Sequence, residues 1–248
     1  MIQIIPIKVS GDVRPPDELD SIVLKAVKQN RQEIRDGDIL VIAQKVVSKA
    51  EGRTVRLANV KPSKDAVRMA KEHSKDPRVM ELILKESAQI LRAQNGIIVS
   101  ETKHGFVCAN AGVDQSNIRG DAAVLLPVDP DRSASQLRDA IKKKAGREAA
   151  IIITDTFGRP FRNGQTNMAI GVAGINPIRS YIGSRDMYGR KLRVTEIAVA
   201  DEMASAAELA MGKADGVPVA IVRGYKFEKA AKSSTRPLIR PKERDLFR

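Results

Sequence analysis

The chain has 248 residues, of which 42% are hydrophobic and 29% charged, so it can bury a sizeable core. Its one cysteine, Cys108, excludes an intrachain disulfide, and an aromatic content of 3% leaves few rings for stacking on single-stranded nucleic acid. The net charge of +13 indicates an anionic partner. No apolar run approaches the ~18 residues of a membrane helix, and the first residues lack signal-peptide features. We therefore expect a cytoplasmic protein without a membrane partner.

The first half of the chain alternates between strand-like and helix-like spacing of apolar residues. In chain order, the spacing predicts a strand at 2–9, a helix from about residue 17, a strand at 38–47, a helix capped by Ser63 and ending near His73, a helix that begins at Pro77 and buries Ile90 and Leu91, and short strands at 97–100 and 106–109.

The second half predicts a strand at 122–128, a helix capped by Ser133, a strand at 149–154, a helix at 200–211 and a strand at 217–222. Strands and helices do not alternate strictly, so we expect an α+β fold of mixed sheets flanked by helices. Residues 1–224 form the main domain, with room for two subdomains. Residues 225–248 carry a net charge of +5 and form a basic appendage, extended or helical, that could pack on a second subunit.

The segment 151–174 carries the most chemistry. Three isoleucines predict a buried strand that runs into Asp155 and Thr156, and a loop with Gly158, Arg159 and Arg162 follows. A carboxylate just past a buried strand suits a divalent cation, and arginines beside glycines suit a phosphate. A capped strand end with surface arginines explains the same residues equally well.

A second loop, ANAGVDQSN at 109–117, contains small residues around Asp114 and Asn117 and cannot fill a core. Asp114 and Asp155, with Thr156, could hold one or two Mg²⁺ or Mn²⁺ ions together with water and phosphate oxygens. An Asx turn at Asp114 is as good an explanation of that residue alone.

The remaining candidates are weaker. Gln44, Lys45 and Lys49 follow an apolar strand and could meet phosphates, although solvated lysines fit equally well. No Walker A or dinucleotide-binding glycine pattern occurs in the sequence. His104 and Cys108 lie four residues apart on a predicted strand, ~13 Å, too far for a catalytic pair.

Seven segments resemble, in the same order, those of the coenzyme F420-0:γ-glutamyl ligase family. The similarity runs collinearly from about Ile5 to Gly224. The most unusual segments are HGFVCANAGVDQSN at 104–117 and TDTFGRPFRNG at 154–164. The others are GDILVIAQKVVSKAEGR at 37–53, KDPRVMELILKES at 75–87, LLPVDPDRSA at 125–134, AIGVAG at 169–174 and ADEMASAAELAMGKADGVPVAIVRG at 200–224.

The resemblance implies a GTP-dependent ligase that adds L-glutamate to the lactyl carboxylate of coenzyme F420-0, followed by a γ-linked glutamate. GTP leaves as GDP and phosphate, and we expect an acyl-phosphate intermediate. The resemblance also implies two Mg²⁺ or Mn²⁺ ions per active site, K⁺, a family-specific fold without a P-loop, and an intertwined homodimer.

Site residues carry over position by position. Asp114 and Asp155 match metal carboxylates, and Thr156 matches a ligand of a second metal. Arg159 and Arg162 are candidates for holding the γ-phosphate or a substrate carboxylate, or else for orienting their own loop. The positions that match nucleotide contacts are Ser10, Gly11, Asp12, Val13, Gln44, Lys45, Lys49, Asn117, Met211, Gly212, Lys213, Ala214 and Asp215.

The chain departs from the family pattern at several positions. Lys213, with Asp215 nearby, stands where a side-chain oxygen helps to bind metal. Phe161 replaces a frequent Trp, and Ser180 and Ile182 replace an Asp and an Arg. Two other functions stay open: a carboxylate–amine ligase acting on another acid, and a basic nucleic-acid-binding protein. Few aromatics and the acidic loops argue against the second.

Overall fold

The structure is a computed structural model that describes residues 1–15 and 17–246. Its strands are β1 (Gln3–Ile7), β2 (Ile39–Ala43), β3 (Thr54–Arg56), β4 (Ser87–Gln94), β5 (Ile97–Thr102), β6 (Val107–Ala109), β7 (Ala122–Val124), β8 (Ala150–Arg159), β9 (Arg162–Ala173), β10 (Arg179–Ser180), β11 (Glu196–Ile197) and β12 (Val219–Arg223). Its α-helices are α1 (Leu19–Gln29), α2 (Gln44–Ala50), α3 (Lys64–Glu72), α4 (Pro77–Glu86), α5 (Pro130–Ala145) and α6 (Val199–Met211). Short 3₁₀ turns lie at Leu57–Asn59, Asn110–Gly112, Arg236–Leu238 and Lys242–Arg244.

A five-stranded sheet in the order β1-β12-β2-β8-β9 forms the centre of the molecule. β2 and β8 run parallel, and the other neighbours run antiparallel. Both faces of the central strands are buried: Leu40 and Ile151 pack towards α1 and α5, while Val41 and Ile152 pack towards α6. Burial on two faces explains why these strands are continuous apolar runs rather than alternating ones.

A separate apolar cluster lies beside this sheet. It collects Leu57, Met80, Ile83, Ile98 and Leu125 from α4, β5 and the segments around β3 and β7. The strands of this region form a β3–β7 pair and a β4-β5-β6 sheet. The expected α+β architecture of mixed sheets flanked by helices is confirmed.

Two predicted boundaries are wrong because an apolar run hides a change of element. The strand predicted at 38–47 ends at Ala43, and α2 begins at Gln44, whose side chain accepts a hydrogen bond from Ser48 one turn later (2.8 Å). The helix predicted to bury Ile90 and Leu91 ends at Glu86, and both residues lie on β4.

The capping residues give one confirmed prediction and one correction. Ser63 caps α3 as expected, accepting from the N–H of Ala66 at 3.2 Å. Ser133 does not cap α5, because the helix begins at Pro130 and Asp129 accepts from the N–H of Arg132 at 3.0 Å.

The loop predicted after Thr156 is a long β-hairpin. β8 continues to Arg159, and β9 returns from Arg162, so Asp155 and Thr156 lie within a strand rather than beyond its end. The pairing of Ile153 with Gly171 and of Thr154 with Ala169 leaves Ile170 as an extra residue, a β-bulge.

The segment 225–246 packs on the body of the same chain. Tyr225, Phe227 and Leu238 contact the apolar cluster beneath α6. Thr235 is buried, and its N–H donates to Asp131 at 3.0 Å. Among the described residues, no helix is long and apolar enough to cross a membrane.

Candidate functional site

A cleft of about 710 Å³ opens where the parallel pairing of β2 with β8 ends, at Ala43 and Thr154. This edge of a parallel pair is the usual position of a ligand site, because loops and helix starts converge there. The walls come from the loop after β1, the start of α2, the 109–117 loop, the hairpin strands β8 and β9, and the loop after α6.

The bulge in the hairpin sets the position of Asp155. Thr154 donates its hydroxyl to the carbonyl of Met168 at 2.9 Å, just beside the extra residue. On the other side of β9, Asp201 of α6 accepts from the N–H of Ala169 at 2.9 Å. These contacts fix the register at which Thr154, Asp155 and Thr156 face the cleft.

Three carboxylates line this cleft, those of Asp12, Asp114 and Asp155. Burial raises the pKa of Asp155 to about 6, and the negative charge of Asp114 adds to the shift, whereas Lys45 and Lys213 oppose it. Among the described residues, no three carboxylate, imidazole or thiol side chains converge as a metal cluster. A hard divalent cation would fit the Asp114–Asp155 pair when phosphate and water oxygens complete its shell.

Asp114 is held from its backbone and its side chain. A β-bridge to Val124 fixes the main chain, and the carboxylate accepts from the N–H of Ser116 at 2.7 Å, which forms the predicted Asx turn. The ammonium of Lys45 lies 2.7 Å from the other oxygen. Burial opposes the charged form, but the bonds from Lys45 and Ser116 keep the pKa of Asp114 below its ordinary value.

A second ion pair crosses the cleft next to the first. Lys49 lies 3.2 Å from Asp12 and donates to the carbonyl of Asn117 at 3.1 Å. The hydrogen bond from Lys49 is the main reason that the pKa of Asp12 is lowered. Asn117 adopts a left-handed backbone (φ 57°) and donates its amide to the carbonyl of Lys213 at 3.2 Å, which joins two loops of the site.

The third lysine contacts the hairpin. Lys213 donates to the hydroxyl of Thr156 at 2.7 Å and to the side-chain oxygen of Asn167 at 3.0 Å, and it lies 3.4 Å from Glu208. Thr156 in turn donates to Asn167 at 2.8 Å. The position expected for a second metal ligand therefore already contacts an ammonium group.

Most of the predicted site residues line the cleft. They are Gly11, Asp12, Val13, Gln44, Lys45, Lys49, Asp114, Asn117, Asp155, Thr156, Met211, Gly212, Lys213 and Ala214. Ser10 lines a smaller neighbouring pocket, and Asp215 is not part of the lining.

The two predicted arginines do not belong to this lining. Arg159 and Arg162 pair across the end of the hairpin, and Arg159 donates to the carbonyl of Asn163 at 3.0 Å. Four residues of strand separate Arg159 from Asp155, a span of ~13 Å. In this structure Arg159 does what the alternative interpretation predicts, which is to hold its own turn.

Sequence reasoning missed five polar residues that line the cleft: Asn110, Ser116, Thr154, Gln165 and Asn167. Gln165 and Asn167 are two residues apart on β9, the spacing that puts side chains on one face of a strand. That spacing is readable in the sequence, but only the hairpin register, which pairs Asn167 with Thr156 and Gln165 with Gly158, brings it to the cleft.

The chain is similar to proteins of one family over most of its length. The family model described as F420-0:Gamma-glutamyl ligase matches residues 8–224. The coenzyme F420:L-glutamate ligase of Methanothermobacter thermautotrophicus is 48% identical over 234 residues, which cover 94% of this chain and 93% of that protein. The enzyme of the same name from Methanocaldococcus jannaschii is 47% identical, covering 87% of this chain and 86% of its own. That of Methanopyrus kandleri is 44% identical, covering 100% and 98%.

The match spans the elements that build the cleft, from the loop after β1 to the loop after α6 and β12. The chain therefore belongs to the F420-0:gamma-glutamyl ligase family, and it is a ligase of that type.

Proposed function

We propose that this ligase joins L-glutamate to the lactyl carboxylate of coenzyme F420-0 at the expense of GTP, and that it then adds a γ-linked glutamate. One observation carries the proposal: Asp114 and Asp155 line one cleft, close enough for their charges to interact, together with Lys45, Lys49 and Lys213. Carboxylates suit a cation, and lysines suit the phosphates that the cation would neutralise.

In this proposal Asp114 and Asp155 hold Mg²⁺ or Mn²⁺, which would bind phosphate oxygens and spread the charge that develops during phosphoryl transfer. Lys45 lies in the first turn of α2 and Lys49 in its last turn, and both side chains line the cleft, each paired with an aspartate. As point charges they attract a triphosphate and orient its terminal group towards the acceptor carboxylate.

The reaction needs an activated acid, because oxide is too poor a leaving group to be displaced from a free carboxylate by an amine. The substrate carboxylate attacks the γ-phosphorus of GTP, the bond to the β-phosphate oxygen breaks, and GDP leaves. The α-amine of glutamate attacks the acyl phosphate and loses a proton, and phosphate leaves as the amide forms. The residues of this chain contribute orientation and charge neutralisation to both steps.

The deciding experiment follows GDP release and product mass for F420-0, L-glutamate, GTP and Mn²⁺. We expect the mass of F420-0 to increase by glutamate units in step with GDP. Asp155→Asn should lower this turnover by roughly 100-fold or more, since it removes a charge from the reacting site. Asp139→Asn, an exposed change of the same type on α5, is the matched control.

Three outcomes would contradict parts of this proposal. Wild-type turnover in Asp155→Asn, with an unchanged melting temperature, would exclude the cation role of Asp155. GDP release with another acid but not with F420-0 would favour a carboxylate–amine ligase of different substrate. Equal rates with ATP would exclude a preference for GTP.

The same proposal includes K⁺ and a homodimer. Replacing K⁺ with Na⁺ in the assay tests the first, and we expect slower turnover. Sedimentation equilibrium tests the second, and a mass equal to one 27.1 kDa chain at working concentration would contradict it.

A further inference from the structure

The ammonium of Lys213 lies among three oxygens that come from three different elements. Its partners are the hydroxyl of Thr156 on β8 at 2.7 Å, the side-chain oxygen of Asn167 on β9 at 3.0 Å, and a carboxylate oxygen of Glu208 on α6 at 3.4 Å. A lysine ammonium has three N–H donors and no acceptor, so three oxygens satisfy it completely. These three oxygens are also of the kind that would bind a metal ion if the ammonium were absent.

The loop that carries Lys213 is itself fixed. Asn117 donates to the carbonyl of Lys213 at 3.2 Å, and the carbonyl of Asn117 accepts from Lys49. The negative charge of Asp155 lies close enough to interact with Lys213. The hydrogen bond from Asn117 to the backbone of Lys213 and the negative charge of Asp155 therefore both favour the ammonium of Lys213 in its position beside Thr156.

An ammonium and a divalent cation cannot share these oxygens. Mg²⁺ requires oxygen ligands at about 2.0–2.1 Å in a near-octahedral shell, which would bring the ion against the nitrogen of Lys213. Two positive charges at such a distance repel strongly inside a protein. The residues around Thr156 therefore do not fit the second metal ion that the resemblance implies.

We propose that this chain holds one divalent cation, at Asp114 and Asp155, and that the ammonium of Lys213 supplies the positive charge of the second. The inference rests on the proposed function for the identity of the nucleotide. The lysine thus becomes a fixed part of the protein that neutralises phosphate charge without depending on the concentration of a metal.

The test counts Mn²⁺ ions by electron paramagnetic resonance in the presence of a non-hydrolysable GTP analogue. We expect one Mn²⁺ per chain in the wild type, with the six-line spectrum of an isolated ion. Lys213→Gln replaces the ammonium with a side-chain oxygen donor and should bind two ions. Ions about 3.5–4 Å apart couple magnetically, so that spectrum should broaden.

Two further variants make the count specific. Lys213→Arg keeps the positive charge and should bind one ion. Lys143→Gln loses an exposed charge on α5, far along the chain from the cleft loops, and should also bind one. Because the side chain of Lys213 is 56% exposed, we expect all variants to melt within a few degrees of the wild type.

Two coupled Mn²⁺ ions in the wild type would overturn the inference, and so would a single ion in Lys213→Gln. The proposed function fails separately. A protein that shows the expected counts but makes no product from F420-0 would refute the substrate and leave the cation count standing. A protein that makes the product but binds two ions would refute the proposed cation count and leave the proposed substrate standing.

Discussion

The carboxylate of Asp201 accepts a hydrogen bond from the backbone N–H of Ala169 at 2.9 Å. This bond attaches helix α6 to strand β9 of the hairpin next to the bulge. One turn further along the same helix, Ser205 donates to the carbonyl of Asn167 at 2.8 Å. The strand that faces Asp155 across the hairpin is thus held by a helix, not only by its ladder bonds.

Two substitutions of Asp201 should distinguish the contribution of its hydrogen bond to stability from the contribution of its charge. Asp201→Ala leaves the buried N–H of Ala169 without this acceptor, and we expect a loss of about 1–3 kcal/mol in the free energy of unfolding. Asp201→Asn keeps an acceptor oxygen and should lose less. Urea denaturation at pH 7 measures the free energy of unfolding of both variants. Equal losses would show that the hydrogen bond to Ala169 does not account for the contribution of Asp201 to stability.

The same carboxyl predicts a pH dependence. Burial raises the pKa of Asp201, against the opposing bond from Ala169, so the folded state favours the protonated form. The stability that this group contributes is present below its unfolded pKa and is lost as the pH rises through the raised folded pKa. The stability of the wild type relative to Asp201→Asn should therefore fall from pH 4 to pH 7, and a constant difference would contradict the shift.

A buried ion pair joins the start of β2 to the end of β12. Arg223 contacts Asp38 with two hydrogen bonds, of 2.9 and 2.8 Å, and Asp38 is 1% exposed. Arg223→Ala leaves that buried carboxylate without its charged partner, and we expect a loss of about 3–5 kcal/mol in the free energy of unfolding.

Arg35→Ala is the control for that change. Arg35 pairs with Glu33 at 2.8 Å, but both side chains are more than half exposed, so its loss should be under about 1 kcal/mol. Denaturant unfolding of the two variants side by side gives the comparison. Similar losses would mean that burial does not set the strength of the Arg223 pair.

Two glycines of the hairpin offer a packing test. A Cβ at Gly171 would lie 2.4 Å from the carbonyl oxygen of Pro130, at the first residue of α5, whereas a Cβ at Gly158 would meet nothing within 4 Å. We expect Gly171→Ala to cost about 1–3 kcal/mol and Gly158→Ala to stay within about 0.5 kcal/mol of the wild type. Thermal unfolding measures both, and equal melting temperatures would contradict the close approach of α5.

The single thiol reports on the core next to the cleft. Burial raises the pKa of Cys108 to about 12, and the charge of Asp155 adds to the shift. At pH 8 the thiolate fraction falls by roughly 1,000-fold against an ordinary thiol of pKa about 8.5, so alkylation of the native protein should be slow. Stability linked to this thiol is lost as the pH rises above about 8.5 towards 12. Equal labelling rates in native and denatured protein would contradict its burial.

Part of this fold follows from local sequence. The run Ile151–Ile153 predicts a buried strand, and Ser63 predicts a helix start, because each depends on neighbours within a few residues. The helix at Gln44 could not be predicted in this way. Val46 and Val47 are buried and β-branched, and periodicity alone does not separate a short buried helix from a strand.

The candidate site likewise has residues that local sequence predicts and residues that it does not. Asp114 stands out in the sequence because small residues surround it, and Asp155 because it directly follows a predicted buried strand. Asn167 and the true position of Arg159 depend on the hairpin register, which shifts twice, at Ile170 and again between Gly158 and Arg159. The bulge lies beside a hydrogen bond from Ala169 of β9 to Asp201 of α6, and no local pattern predicts a contact between residues so far apart in the sequence.

The last strand of the chain, β12, lies between the first two, β1 and β2, in the central sheet. During synthesis, β1 and β2 leave the ribosome early but cannot close the sheet until residues 219–223 have also emerged. For most of translation, the edges of β1 and β2 that pair with β12 in the folded protein therefore stay unpaired. Unpaired apolar strand edges promote association with other chains. A stop codon anywhere before residue 219 should thus yield a product that aggregates rather than a smaller soluble enzyme.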